Sequence, residues 1–114
     1  MKPPRGLLTG DRVARREFDR IARALEAHGL RLPDPRILGA YCARFSWIRQ
    51  VERRARLARR RGDVRLARDL EREARRWLDS LGELRDRHAR TAAERQAWLG
   101  LTADVSTRPP AGDP

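Results

Sequence analysis

Hydrophobic residues recur every three or four positions along most of the chain, and no segment alternates between apolar and polar residues as a half-buried strand would. Ala, Leu, Arg and Glu, all favourable in helices, dominate the region between the two ends. The pattern predicts an all-α fold with four helices at about residues 11–28, 35–61, 63–81 and 92–99.

The two middle helices are long, and a single glycine, Gly62, separates them. A connection this short forces neighbouring helices to run antiparallel with their apolar stripes facing each other. We therefore expect a long antiparallel helical hairpin, with a shorter N-terminal helix before it and a short C-terminal helix after it. The stripe expected on the second hairpin helix contains Leu66, Ala67, Leu70, Ala74, Trp77, Leu78 and Leu81.

Each predicted helix has signals for its start and its end. The start signals are polar caps: Thr9 or Asp11, Asp34 before Pro35, Asp63, and a capping box of Thr91 with Glu94. The end signals are glycines: Gly29, Gly62, Gly82 and Gly100. Between the third end and the fourth start, residues 83–90 are expected to form a polar joint, either helical or irregular.

The two ends of the chain differ from the region between them, because most of the prolines lie there. We expect residues 1–10 to be a flexible basic arm, residues 11–100 to form one helical domain, and residues 101–114 to be a disordered tail. A domain of this size buries a limited share of its surface, so self-association would supply further burial.

The first hairpin helix carries a second apolar face beside its main stripe, and Trp47 lies on it. This face must meet either the N-terminal helix or a neighbouring subunit, and an exposed apolar patch of this kind marks an interface. We favour a homo-oligomer. The residues predicted to form its interface are Ala40, Ala43, Trp47, Val51 and Trp98.

The formal net charge is +11, from 27 basic and 16 acidic residues, and every basic residue except Lys2 is an arginine. Such a charge favours phosphate backbones or acidic protein surfaces as partners, although codon usage in a GC-rich genome also raises the arginine content. The densest run, residues 49–61, has seven arginines and only Glu52 against them. It is either a solvated helix end or a phosphate-binding tip of the hairpin.

A second basic region covers the N-terminal arm and the first helix, and it could follow a DNA groove. No helix-turn-helix of normal length is present, so we expect contact with double-stranded DNA at low sequence specificity. The predicted DNA-binding residues are Lys2, Arg5, Arg12, Arg15, Arg16, Arg20, Arg53, Arg56, Arg59, Arg60 and Arg61.

The sequence offers little catalytic chemistry. Neither of the two histidines, His28 and His88, has a plausible nucleophile paired with it, and the single Cys42 lies in an apolar stretch typical of a core. No glycine-rich phosphate loop or metal-ligand cluster occurs. We expect a protein that is not an enzyme and takes no cofactor. Neither a signal peptide nor an apolar run of about 18 residues is found, which predicts a cytoplasmic protein without a membrane partner.

The order of these features resembles the small terminase subunits of phages, of the P27 type. The resemblance rests on residues 17–30, a short connector containing Asp34, and residues 38–47, in which Tyr41-Cys42 precedes Phe45 and Trp47. Leu81-Gly82 and the segment from Thr91 to Arg95 are similar to a family turn and the helix after it. Here, however, residues 83–90 separate the two pieces, and the proline of the family turn is absent.

The resemblance implies a ring-shaped homo-oligomer in the cytoplasm of a bacterial host. Such a ring recognises viral DNA and presents it to a large terminase subunit, which carries the ATPase and nuclease. A related phage-like gene transfer particle would need only sequence-independent contact with DNA. Two alternatives stay open: a structural adaptor whose partners are all proteins, and a small helical transcription regulator.

Overall fold

A computed structural model describes residues 1–6 and 8–99 of the chain. Four helices occur among them: α1 (Arg12–Ala27), α2 (Pro35–Arg60), α3 (Val64–His88) and α4 (Ala92–Leu99). Within this described part there is no strand. The predicted all-α fold is confirmed, whereas the tail predicted for residues 101–114 lies outside the described residues.

The helices begin at the predicted caps. Asp11, Asp34 and Asp63 each accept a hydrogen bond from a backbone amide in the following turn, at 3.0, 2.8 and 3.1 Å. Thr91 and Glu94 form the expected capping box, in which each side chain accepts from the backbone amide of the other. These bonds satisfy amides that have no partner inside a helix, and they fix where each helix starts.

Gly29 and Gly62 end α1 and α2 in the same way. Both adopt a positive φ, 63° and 82°, which an L side chain would resist. The amides of Leu30 and Asp63 then donate to Leu25 and Ala58, the paired turn that typically closes a helix. At Gly62 this turn also sets the direction in which α3 leaves α2.

The prediction that the third helix ends at Leu81 is wrong, because α3 continues to His88. Gly82 therefore lies inside a helix and has no positive φ. A glycine there disfavours the helix by about 1 kcal/mol, which packing on both sides of it offsets. Leu81 is buried and Leu84 packs against the core, so most of the predicted joint is helical.

The helices α2 and α3 form the predicted antiparallel hairpin. Arg44 near the start of α2 donates to Ser80 near the end of α3, and Arg59 at the end of α2 pairs with Glu71. Two residues of the predicted α3 stripe, Leu66 and Leu78, are exposed instead of buried. The buried stripe is narrower here, because only Ala67, Leu70 and Ala74 of α3 belong to the buried cluster that α3 shares with the second half of α2.

A second packing region joins α1, the first half of α2, the end of α3, and α4. Phe18, Ile21 and Leu25 of α1 are fully buried there, and Trp98 of α4 meets Tyr41 edge to face, with ring centroids 4.8 Å apart. This aromatic contact ties the C-terminal helix to α2.

Some of the described residues of the predicted arm, 1–6 and 8–10, pack on the fold. Leu8 is buried in the core, Met1 packs against it, and the amide of Asp11 donates to the Leu8 carbonyl. An apolar side chain at the right distance before α1 therefore outweighs the effect of the nearby prolines and glycines. Among the described residues, none of the helices combines the length and apolar character needed to cross a membrane.

Candidate nucleic-acid interface

The positive charge is distributed unevenly between the two hairpin helices. There are eight arginines and one glutamate in α2, whereas α3 has seven arginines and six acidic residues. Because unlike charges on α3 largely cancel, the surplus charge of the hairpin belongs to α2, and the positive potential is strongest along that helix.

The predicted tip arginines do come together at the end of α2, and all of them are exposed. Arg59 is engaged with Glu71 of α3, and the Arg61 guanidinium donates to the Leu57 carbonyl at 3.4 Å. Arg56 and Arg60 form no ion pair with any described residue. Only part of the charge at the tip is therefore free, and Arg56 and Arg59 line a cavity of about 310 Å³ that also contains carboxylates.

The residues predicted on the N-terminal side divide into two groups. Those exposed to solvent, as a phosphate contact requires, are Lys2, Arg5, Arg12, Arg15 and Arg16. Arg20 is the exception. Its guanidinium donates to the carbonyls of Ala97 and Trp98 at 3.4 and 2.9 Å, and it pairs with Glu17.

Arg20 is therefore corrected from a predicted DNA contact to a structural residue. The last carbonyls of α4 have no partner inside their own helix, and a cation placed beside them is favourable. The hydrogen bonds that the Arg20 guanidinium donates therefore connect the end of α4 to α1. Sequence alone could not show this, since residues 20 and 97 are brought together only by folding.

Two arginines that the sequence placed in separate basic regions share one groove. Arg12 begins α1, Arg53 lies in the second half of α2, and a cavity of about 530 Å³ separates them. Arg49 also lines it, although this residue is not among the predicted DNA contacts. Its position four residues before Arg53 on the same helix face was the available signal. We call this cavity the basic groove; its polar and charged lining residues are Thr9, Asp11, Arg12, Ser46, Arg49, Gln50 and Arg53.

Two of the five predicted interface residues are corrected. Val51 is fully buried in the hairpin, and Trp98 is 1 % exposed against Tyr41, so both are used within the protomer. The sequence could not predict their burial within the protomer, because an apolar helix face does not show whether it packs on the same chain or on another. The remaining predicted residues, Ala40, Ala43 and Trp47, lie on the surface or at its edge.

Trp47 is the centre of an apolar surface on one side of the hairpin. Its side chain is 38 % exposed, and it borders a cavity of about 370 Å³ together with Ala43 and Trp77. Trp77 was predicted to lie wholly in the stripe between α2 and α3, but it is only partly buried. Arg44 and Glu73 complete the lining, so an apolar centre is surrounded by charge.

Cys42 and Tyr41 both lie in the core, as expected for Cys42. Burial, followed in effect by the nearby Glu17 carboxylate, raises the pKa of the Cys42 thiol and raises the pKa of Tyr41 to about 12. Both groups therefore stay protonated near neutral pH, and Cys42 has none of the thiolate character that a nucleophile needs. Within residues 1–6 and 8–99 no group of three or more His, Cys, Asp or Glu side chains could hold a metal ion.

No family model matches this chain, and no curated protein or solved structure matches it either. The function is therefore inferred from the residues and geometry of the chain itself.

Proposed function

We propose that this protein is a small terminase subunit: a non-catalytic, DNA-binding adaptor that presents DNA to a large ATPase and nuclease subunit for packaging into capsids. The unbalanced charge of α2, on which one glutamate faces eight arginines, supports the DNA-binding part of the proposal. The resemblance of residues 17–30 and 38–47 to small terminase subunits supports the packaging part. Arginines that are exposed and lack acidic partners favour phosphate groups, and they do so without reading bases.

Assembly is the second part of the proposal. A ring of protomers would use the apolar surface around Trp47, which the single chain leaves partly exposed. An aromatic side chain at the centre of a patch with charged edges is typical of protein interfaces. Repetition around a ring would multiply the basic surface of α2, so even weak contacts of one protomer would add up to firm retention of DNA.

The test combines two measurements on the purified chain. Light scattering gives the native mass, and fluorescence anisotropy with a random-sequence duplex, repeated over a range of salt concentrations, gives the affinity and its salt dependence. We expect a discrete mass of many protomers and an affinity that falls steeply with salt, because binding releases counterions.

The alternatives give different results in the same measurements. A chain that assembles but ignores duplex DNA at low salt would be an adaptor between proteins. A dimer that prefers one duplex sequence strongly over others would be a transcription regulator. Either result would contradict the packaging proposal.

A further inference from the structure

The basic groove is formed by two different elements whose relative position is fixed. Asp11 stands at the start of α1, and Ser46 lies on α2 facing it. The Ser46 hydroxyl, which is almost fully buried, donates to the Asp11 carboxylate at 2.8 Å. This bond holds the two sides of the groove together, so the arginines on them are presented at a set spacing.

Two of the three arginines of the groove are not paired with a carboxylate of any described residue. Arg12 and Arg53 form no ion pair with any described residue, and both are exposed. Arg49 shares its charge with Glu52 at 3.1 Å and stacks on the Phe45 ring at 4.9 Å, which orders its guanidinium. The positive end of the α1 dipole adds to this field.

Among the described residues, Asp11 is the only carboxylate that lines the groove, and one of its oxygens, Oδ1, already accepts hydrogen bonds. Besides the Ser46 hydroxyl, its side chain accepts from the amide of Ala14 at 3.0 Å. Even without the arginine that pairs with Glu52, two guanidinium groups face this one carboxylate, which leaves a positive surplus inside a concave surface. Charge within a cleft is focused strongly. The cavity beside the hairpin tip contains two carboxylates, Glu52 and Glu71, which offset the charge of its arginines.

The lining also indicates which form of nucleic acid it suits. None of the described residues that line the groove is aromatic, so unpaired bases would find no ring on which to stack. Guanidinium groups on two sides of a groove instead match phosphates along a backbone. We infer that the basic groove binds the phosphate backbone of duplex DNA through Arg12, Arg49 and Arg53, and that the hairpin tip is not the principal contact.

This inference rests on the proposed function, and a matched pair of helix caps tests it. Asp11 caps α1 in the groove, and Asp63 caps α3 at the hairpin tip through the same kind of bond. Asp11→Asn and Asp63→Asn change the net charge equally, and Asn is as good a cap as Asp. We expect Asp11→Asn to bind a random 30-base-pair duplex about threefold more tightly than the parent chain, by analogy with one added phosphate contact. Asp63→Asn should bind the same duplex with nearly the affinity of the parent chain. A larger gain for Asp63→Asn would place the contact at the tip and overturn the inference.

The reciprocal test removes arginines in pairs. Arg12→Gln with Arg53→Gln should lower the slope of log affinity against log salt by about 2, whereas Arg56→Gln with Arg60→Gln at the tip should change it by less than about 1. Circular dichroism of each variant checks that it is folded. If the parent chain binds duplex DNA and the two pairs of substitutions lower the slope equally, the groove is not the principal contact. The proposed function would then still hold.

Two further results would each contradict the inference. Failure of the parent chain to bind the duplex would contradict both the proposed function and the inference. Tighter binding to a single strand of the same length than to the duplex would also overturn the inference, since it would require stacking surfaces that the groove lacks.

Discussion

Arg20, Arg59 and Arg53 carry the same guanidinium group in three different environments. The first caps the end of α4, the second pairs with Glu71 across the hairpin, and the third is exposed without an ion pair among the described residues. Only the last kind is available to an external phosphate at no structural cost. At the scale of single residues, function therefore depends on which arginines folding leaves unused.

Arg20→Gln should destabilise the fold while leaving DNA affinity nearly unchanged. The substitution removes charge-assisted bonds to the Ala97 and Trp98 carbonyls, which are worth about 1.5 kcal/mol or more. Arg23→Gln, an exposed change on the same helix, is the control and should alter unfolding by less than about 0.5 kcal/mol. Urea unfolding followed by circular dichroism measures both. Equal stability of the two variants would show that Arg20 does not hold α4.

Tyr41 provides a pH-dependent test of the core, because it is the only tyrosine in the chain. Its pKa is raised to about 12 in the folded protein, above the value near 10 of an exposed tyrosine. The stability that this shift contributes is present below pH 10 and is lost as pH rises from 10 to 12, by about 3 kcal/mol in full. The ultraviolet absorbance of tyrosinate should therefore appear near pH 10 in concentrated urea, where the chain is unfolded, and at a higher pH in buffer. Coincident titrations would place Tyr41 at the surface.

At the scale of elements, the two kinds of glycine in the helical region have opposite effects. Gly62 has a positive φ and ends α2, whereas Gly82 lies inside α3 with space for a methyl group, whose nearest neighbour would be the Arg85 guanidinium at 3.8 Å. The sequence pattern treated both as ends of helices. The difference arises because Leu81 and Leu84, on either side of Gly82, gain burial only if the helix continues.

Alanine substitutions should separate these two glycines. Gly62→Ala should destabilise the hairpin by about 1 kcal/mol, since it forces a β-carbon into a left-handed conformation. Gly82→Ala should stabilise it by about 0.5–1 kcal/mol, because alanine favours a helix interior. Thermal unfolding monitored at a helical wavelength gives both values. A loss of stability in Gly82→Ala would mean that α3 ends earlier.

At the scale of the whole molecule, the chain presents two surfaces of different character. The basic groove and hairpin tip are charged, while the surface around Trp47 is apolar at its centre. They involve different residues, so assembly and DNA binding can be altered separately. This separation makes the proposed adaptor testable with single substitutions.

Trp47→Ala should lower the native mass while changing the free energy of unfolding by less than about 1 kcal/mol, since its side chain is already partly exposed. Leu78→Ala is the control, because Leu78 is 48 % exposed but belongs to a different groove of the hairpin. Light scattering of both variants at one protein concentration measures the effect. An unchanged mass for Trp47→Ala would remove this surface from the proposed interface.

The sequence by itself determined the four helices, their capped starts and the hairpin, because these depend on periodicity and on bonds within a few residues. The overall excess of arginine was equally visible. Only the tertiary structure decided that Arg20 caps α4, that Trp98 packs on Tyr41, and that Leu8 joins the core. The physical reason is that burial and ion pairing depend on neighbours distant in the chain. The basic groove belongs to this second kind, since Arg12 and Arg53 meet only when α1 packs against α2.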